Sequence, residues 1–441
     1  MKTHLSNAIY GSLDYGAYPI GMLVVAPVVL HNLGVDRFGV WTVANAVVSV
    51  GGIIASGFGD ANIQHVASRR GAGDLNAPLR AVRAMMGINL ILGIALAAVG
   101  WMLSPLAAAH LSGSSPALRQ SCLWSLQIAC AMMAVRAIES VCISTQRAFE
   151  RYGAAVRISI AARLLALAVV AGLTFLSHSV VAVMAVTGLL MFAGLCLQLV
   201  RLKRLLSADS LMPAFDHGAM SALMSFGVFS WLQAVSGVVF SQVDRLTLGV
   251  SLGAAAVAAY ALCAQMAQPI YGFAASGLHF LFPYFSNRSA SMIPAALRQP
   301  LLVAFAFNLG WVAVGAGALL LLGNRILHAW AGAEIARSAA PIMAVIVWSS
   351  ALLGLNVTAT YALLALGRVR IVAGFNLASG AIMLLLMLYL TPRFGIEGIA
   401  LARLSYALIS LLLYIPLLGH FLGTPVSQKN MRAMQPVKEE L

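Results

Sequence analysis

Residues 180–204 read VVAVMAVTGLLMFAGLCLQLVRLKR, an apolar run of 21 residues followed by a cluster of three basic side chains. An α-helix needs about 20 apolar residues to cross the hydrocarbon core of a bilayer. Lys and Arg gather in the loops that remain on the cytoplasmic side. The stretch therefore predicts a transmembrane helix that ends at the cytoplasmic face.

The same pattern recurs along the chain and predicts about twelve spans. Of the 441 residues, 61% are hydrophobic and only 9% are charged, whereas a water-soluble fold needs more charge to cover its surface. Outer-membrane barrels show alternating segments of about 10 residues instead. We therefore expect an all-α polytopic membrane protein. The predicted spans lie near 8–30, 39–60, 84–105, 119–143, 158–176, 180–200, 221–244, 255–282, 300–323, 341–365, 371–391 and 399–421.

The formal charge of +14 raises the question of nucleic-acid binding, but its distribution argues against it. The basic residues lie in short loops on alternate sides of the apolar runs. With the N-terminus inside, the inner segments hold 18 Lys and Arg and the outer segments hold 6. This asymmetry predicts that both termini are cytoplasmic and that nucleic acid is not a partner.

The two halves of the chain resemble each other. Residues 33–34 and 252–253 are both Leu-Gly, and residues 55–57 and 275–277 are both Ala-Ser-Gly, at offsets of 219 and 220. Six spans in each half give both halves the same direction of insertion. We therefore expect two six-helix lobes, related as a parallel repeat, around a central cavity. The predicted division is an N-terminal lobe at 1–205, a cytoplasmic linker at 206–220, a C-terminal lobe at 221–422 and a cytoplasmic tail at 423–441.

Two regions resemble a known family. LGVDRFGVW at 33–41 and ASGFGDANIQHVASRRGAGD at 55–74 resemble the first spans and the first inside loop of polysaccharide flippases. LLALGRVRIVAGFNLASG at 363–380 and LTPRFGIEGIALARLSYALIS at 390–410 resemble the last three spans of the same family. The chain thus resembles the polysaccharide and O-antigen flippases of the multidrug/oligosaccharidyl-lipid/polysaccharide (MOP) exporter superfamily.

This resemblance implies a transporter that alternates access to its central cavity, in the bacterial cytoplasmic (inner) membrane. The implied cargo is a lipid-diphosphate-linked saccharide for cell-surface polysaccharide biosynthesis. The expected partners are the lipid-linked oligosaccharide, membrane lipid and neighbouring polymerases or glycosyltransferases. We expect no cofactor and no metal.

The first span carries Tyr10, Asp14 and Tyr18 at spacings of four residues, which place them on one helix face. A carboxylate between two tyrosines suits a coupling cation, with the rings in contact with sugar. The alternative is that Asp14 lies near the cytoplasmic end and is simply hydrated.

The fourth span carries Arg136 and Glu139, three residues apart and therefore neighbours on the helix surface. The planar guanidinium fork of Arg binds phosphate in a bidentate manner, so Arg136 is a candidate for the diphosphate and Glu139 for ion coupling. The alternative is a structural pair that neutralises itself.

Arg163 lies about five residues into the fifth span from the inner side, and Arg403 lies at a similar depth in the twelfth span from the outer side. Each is a candidate to bind the cargo. The alternative for Arg163 is that its side chain extends to the membrane interface. Arg403 departs from the resemblance, because the family usually has a small or hydroxyl residue there.

The seventh span carries a polar face with Gln233, which corresponds to Asp14 at an offset of 219 and is a candidate to contact the cargo. The span ends at Asp244 and Arg245, for which we expect an ion pair at the outer end. The second and eighth spans also have polar faces, which either line the cavity or pack helices together. Their members are Asn45, Ser49, Gly52, Ser56, Gln265, Gln268, Gly272, Ser276 and His279.

Three functions remain open: the flippase, a cation-coupled drug antiporter of the same superfamily, and a membrane-embedded glycosyltransferase or ligase. Arginines outnumber carboxylates inside the spans, which favours an anionic cargo over a cationic drug. The outer loops are short and carry no acidic pair at their start, which counts against the glycosyltransferase. No ATP-binding G-x-x-x-x-G-K-[ST] motif is present. We therefore expect a transporter and not an enzyme.

Overall fold

Long α-helices form nearly the whole of the described chain. The structure is a computed structural model that describes residues 19–59, 62–63, 66, 77–113, 115–149, 152–214, 231, 242–278 and 294–422. Within these ranges there is no β-strand, so the predicted all-α class is confirmed. The helices are α1 (Pro19–Leu33), α2 (Val35–Ser56), α3 (Ala77–Leu111), α4 (Pro116–Ala148), α5 (Tyr152–Leu176), α6 (Val180–Leu205), α7 (242–252 as described), α8 (Ala254–Gly277), α9 (Pro294–Ala331), α10 (Ala333–Ala365), α11 (Val369–Ser410) and α12 (Tyr414–Leu422).

The helices follow the predicted apolar runs but extend beyond them. In the described residues, eight helices are long and apolar enough to cross a membrane, and α1 is a shorter apolar helix. The run predicted at 300–323 lies inside the helix Pro294–Ala331, which extends beyond the run at both ends. The two runs predicted at 371–391 and 399–421 are joined by a kink in α11 at Gly395.

Large apolar side chains cover the outer surface of the helices. Leu176, Leu321 and Met102 are 87%, 81% and 77% exposed. Such extensive apolar exposure does not occur on soluble monomers, whereas in a bilayer these side chains contact lipid tails. The protein is therefore a multi-pass membrane protein.

The backbone repeats itself at nearly the offset that the sequence predicts. Gly34 and Gly253 precede α2 and α8 with φ of 79° and 83°, a conformation that favours glycine. Gly113 and Gly332, also 219 residues apart, both have positive φ and lie just before α4 and α10. The same turns thus start the same helices in each half of the chain.

The helix contacts fall into two groups. Helices α2 to α6 pack on one another, and α8 to α12 pack on one another. The extensive contact between the groups is formed by α2 with α8. Trp231, in the predicted seventh span, adds a contact near the other end of α2, where its ring stacks on Phe58 with the centroids 6.3 Å apart.

The chain between the two groups lies against the start of α3. Arg83 Nε donates to the Met212 carbonyl oxygen at 2.8 Å, and the Ala214 N–H donates to the Arg83 carbonyl oxygen at 3.0 Å. The predicted linker thus begins as a segment held to the N-terminal group. The predicted lobe boundaries themselves stay a prediction.

Candidate functional site

Arg136 and Glu139 form an ion pair within α4. Arg136 Nη1 donates to Glu139 Oε2 at 2.6 Å, as their three-residue spacing predicts. The Glu139 side chain is 9% exposed and that of Arg136 is 24% exposed. Arg136 precedes the end of α4 by twelve residues, or about 18 Å of helix. The pair is therefore well inside the span, with the carboxylate buried and the guanidinium accessible.

The polar face of α2 lies beside this pair. A Cβ built on Gly52 would lie 3.4 Å from Arg136 Nε, an ordinary van der Waals contact, so the guanidinium lies directly against α2 at this residue. Asn45 and Ser49 bond to backbone carbonyl oxygens of α2 itself, and both are partly exposed, like Gly52. The polar face and the cation thus border the same space.

A second set of polar contacts continues along α4 toward its end. Asn62 Nδ2 donates to Ser144 Oγ at 2.8 Å and to Thr145 Oγ1 at 3.0 Å. Gln146 Nε2 donates to Gln198 Oε1, which ties α4 to α6. These buried hydrogen bonds join α4 to Asn62 and to α6, so they hold α4 in place on its neighbours.

Arg403 belongs to a buried cluster in the C-terminal group. Its Nη1 donates to Asp244 Oδ2 at 2.6 Å, and the Tyr260 hydroxyl donates to the same oxygen at 2.7 Å. The Asp244 side chain is 2% exposed and Tyr260 is fully buried. The cluster therefore joins α7, α8 and the second arm of α11.

The prediction of an ion pair between Asp244 and Arg245 is wrong. Asp244 bonds to the Arg403 guanidinium instead, and Arg245 provides its backbone N–H to Asp244 Oδ1 at 2.8 Å. Consecutive helical residues point about 100° apart, so Asp244 faces the core while Arg245 does not. The carboxylate finds its partner on another helix.

The other candidates are placed as follows. Arg163 lies on α5, which packs directly on α4, and is partly buried. Tyr10, Asp14, Tyr18 and Gln233 lie outside the described residues, as does His279. The structure thus brings Arg136, Glu139 and the α2 face together, and assigns Arg403 to a separate cluster. The role of each in cargo binding stays a prediction.

Sequence reasoning missed the Arg403 cluster, although a signal was available. Asp244 lies nine residues before the Gly253 turn, Tyr260 seven after it, and Arg403 eight after the Gly395 kink. Both turns are predicted to face the same side of the membrane, so the three side chains share one depth. A comparison of the depths of these residues in the membrane, rather than of neighbours in the sequence, would have predicted the contact of Arg403 with Asp244.

Comparisons with known proteins agree with this fold. The sequence profile of a family described as "Polysaccharide biosynthesis protein" matches residues 5–288. No curated protein sequence matches the chain.

Among solved structures, the lipid II flippase MurJ in an inward closed conformation superposes with a TM-score of 0.75 at 13% identity, over 95% of this chain and 89% of MurJ. An inward-facing multidrug resistance MATE transporter of the MOP superfamily superposes with a TM-score of 0.68 at 14% identity, over 94% and 96% of the two chains. The MATE multidrug transporter DinF-BH gives 0.68 at 14%, over 96% and 97%. Because the family profile covers well over half of the sequence, the chain belongs to the polysaccharide biosynthesis protein family, and it has the fold of the MOP-superfamily transporters.

Proposed function

We propose that this transporter is a flippase that moves a lipid-diphosphate-linked saccharide from the cytoplasmic to the outer leaflet. It works by alternating access to a cavity between two six-helix lobes, in a bacterial cytoplasmic membrane with both termini inside. Membership of a polysaccharide biosynthesis family supports a saccharide cargo. The observation that carries the proposal is Arg136, an accessible guanidinium deep inside a span.

The chemistry of the cargo explains why such a cation is needed. A diphosphate carries negative charges that are very costly in a low-dielectric core. A fixed guanidinium in a hydrated cleft lowers that cost, and its planar fork matches two phosphate oxygens. The lipid tail need not enter the cleft, because it can remain in the bilayer between the lobes.

The remaining predicted residues receive roles around this centre. Arg163 is assigned to the diphosphate, and Tyr10, Tyr18 and Gln233 to the sugars. Arg403, which pairs with buried Asp244 in a separate cluster, is not assigned to this centre. Asp14 and Glu139 are assigned to ion coupling, since a carboxylate held near a guanidinium can exchange that partner for a cation.

A drug antiporter is the second candidate, because two of the similar folds belong to multidrug transporters. The charges inside the spans favour the flippase. Arg136 has an accessible guanidinium while its partner Glu139 is buried, so an incoming cargo meets the cation, which attracts an anion and repels a cationic drug.

Deletion of the gene separates the two candidates. We expect the cell to lose surface polysaccharide and to accumulate the lipid-linked intermediate on the cytoplasmic leaflet, with unchanged susceptibility to cationic drugs. Normal polysaccharide together with raised drug susceptibility would favour the antiporter. Glycosyltransferase and polymerase genes beside this gene would support the flippase before any experiment.

A further inference from the structure

A backbone-to-backbone contact joins the two helix groups at one end of α2. A Cβ built on Gly39 would lie 1.9 Å from the carbonyl oxygen of Ala254 and 2.5 Å from its carbonyl carbon. Only a hydrogen atom fits in that space, so the start of α8 rests directly on α2. Phe38 and Trp41, on either side of Gly39, are buried.

A second layer of contacts surrounds this point. A Cβ on Gly249 would lie 3.2 Å from Val43 Cγ2 and 3.0 Å from Leu111 Cδ2, and one on Gly253 would lie 3.7 Å from the Leu111 carbonyl oxygen. The turn between α7 and α8 therefore sits in a notch formed by α2 and the end of α3. We call the contact of Gly39 and Val43 with residues 249–254 the seam.

The seam lies at the end of the molecule that is predicted to face outside. Gly39 follows the Gly34 turn by five residues, and Gly249 precedes the Gly253 turn by four. The polar face of α2 begins at Asn45 and runs away from the seam. The seam thus stands between the polar face and the outer side of the membrane.

We infer that the seam is the outer gate of the transport path, held shut because residue 39 has no side chain. The inference rests on the proposed function in one respect, that a cargo passes between the two helix groups. Release to the outside requires α2 to separate from α8 at Gly39. The seam contacts described above are apolar or backbone contacts, so they can part without exposing a buried charge.

Substitution of Gly39 tests the gate. Gly39→Ala forces α2 and α8 apart, because the new methyl group overlaps the Ala254 carbonyl. The reporter is Ser49→Cys, about 15 Å deeper along α2, in a chain whose exposed Cys196 is replaced by Ser. A membrane-impermeant maleimide added outside should label this cysteine about tenfold faster or more in the Gly39→Ala protein than with Gly39 intact, through a shift toward the open state.

A matched control and a lock complete the test. Gly310→Ala on α9, where an added Cβ meets nothing within 4 Å, should leave the labelling rate unchanged. The double variant Val43→Cys with Gly249→Cys should form a disulfide that slows outside labelling and blocks export, and a reductant should restore both. If the Gly39→Ala protein fails to accumulate, the disulfide variant alone tests whether the seam is the outer gate.

The gate is overturned if Gly39→Ala labels at the rate of the intact seam, or if the reduced double variant exports the glycan and the oxidised form exports it equally fast. The labelling arm needs no glycan. If labelling responds as expected while no lipid-linked saccharide moves, the gate stands and the proposed cargo fails.

Discussion

At the scale of single residues, the ion pair on α4 has two possible purposes that mutants can separate. Leaving one member of a buried pair without its partner costs about 3–5 kcal/mol in a protein interior. Glu139 is buried and Arg136 is accessible, so removing the arginine leaves a buried carboxylate unpaired. Stability and export must therefore be measured together.

We predict that Arg136→Ala abolishes export while the protein remains in the membrane, because the diphosphate loses its cation. Arg136→Lys should rescue export only partly, since an ammonium lacks the planar fork. Membrane abundance by immunoblot and export of surface glycan are the two measurements.

The double change Arg136→Gln with Glu139→Gln is the control, because it removes both charges and leaves neither unpaired. Normal abundance without export shows that the pair acts in transport rather than in folding. Normal abundance with full export would rule out a phosphate-binding role for Arg136 and leave the pair a structural one.

The Arg403 cluster predicts a different pattern. Arg403→Gln should destabilise the protein by about 3–5 kcal/mol, because Asp244 is left buried and unpaired. Adding Asp244→Asn should recover most of that loss. Thermal denaturation in detergent measures both, with the exposed Arg325→Ala as the control; equal stability of Arg403→Gln and wild type would contradict the cluster.

At the scale of elements, the kink in α11 explains two glycines of the stretch that resembles the flippases. Gly395 has φ 57° and ψ −130°, a region that only glycine adopts without strain. A Cβ on Gly398 would lie 2.5 Å from the Leu390 carbonyl oxygen. The first glycine makes the turn and the second lets the two arms of α11 approach each other.

We predict that Gly395→Ala costs about 1–3 kcal/mol of stability from backbone strain. Gly398→Ala should lower stability as well, because a backbone carbonyl cannot move aside as a flexible side chain would. Gly374→Ala, on the same helix with nothing within 4 Å, is the matched control and should be neutral or slightly stabilising. A Gly398→Ala protein that melts with the control would show that the arms tolerate separation.

The helices themselves were predictable because hydropathy acts locally. The runs at 119–143 and 180–200 each lie inside one observed helix, α4 and α6. Hydropathy could not predict the helix ends, which are determined by caps such as Ser115 and Ser179 outside the hydrocarbon core. It also could not predict that the last two long runs share one kinked helix.

At the scale of the whole molecule, the two halves share their turns but not their charges. Helix α10 starts 217 residues after α4 starts and ends 217 residues after α4 ends. Arg136 therefore corresponds to Leu353 and Glu139 to Asn356. Asp244 corresponds to Val25 at the offset of 219. The repeat therefore made the fold predictable, whereas the site departs from the repeat and had to be found residue by residue. Asn89 and Asn308, 219 apart and both buried, are a repeat pair that sequence reasoning missed.

The membrane orientation follows from the basic residues and applies to the molecule as a whole. We predict that a reporter active only outside the cytoplasm is silent when fused after Gly423 and active when fused after Gly332. Activity after Gly423 would overturn the count of twelve spans and the assignment of the outer side.

The central claim, that the protein moves a lipid-diphosphate-linked saccharide, is tested most directly in liposomes. The measurement is the rate at which a defined lipid-diphosphate glycan crosses between leaflets, read by protection of the sugar from an impermeant oxidant. We predict that the wild-type protein transfers it far faster than protein-free liposomes do, and that the Arg136→Ala protein falls to the protein-free rate. Transfer by the wild-type protein that is no faster than in protein-free liposomes would contradict the flippase.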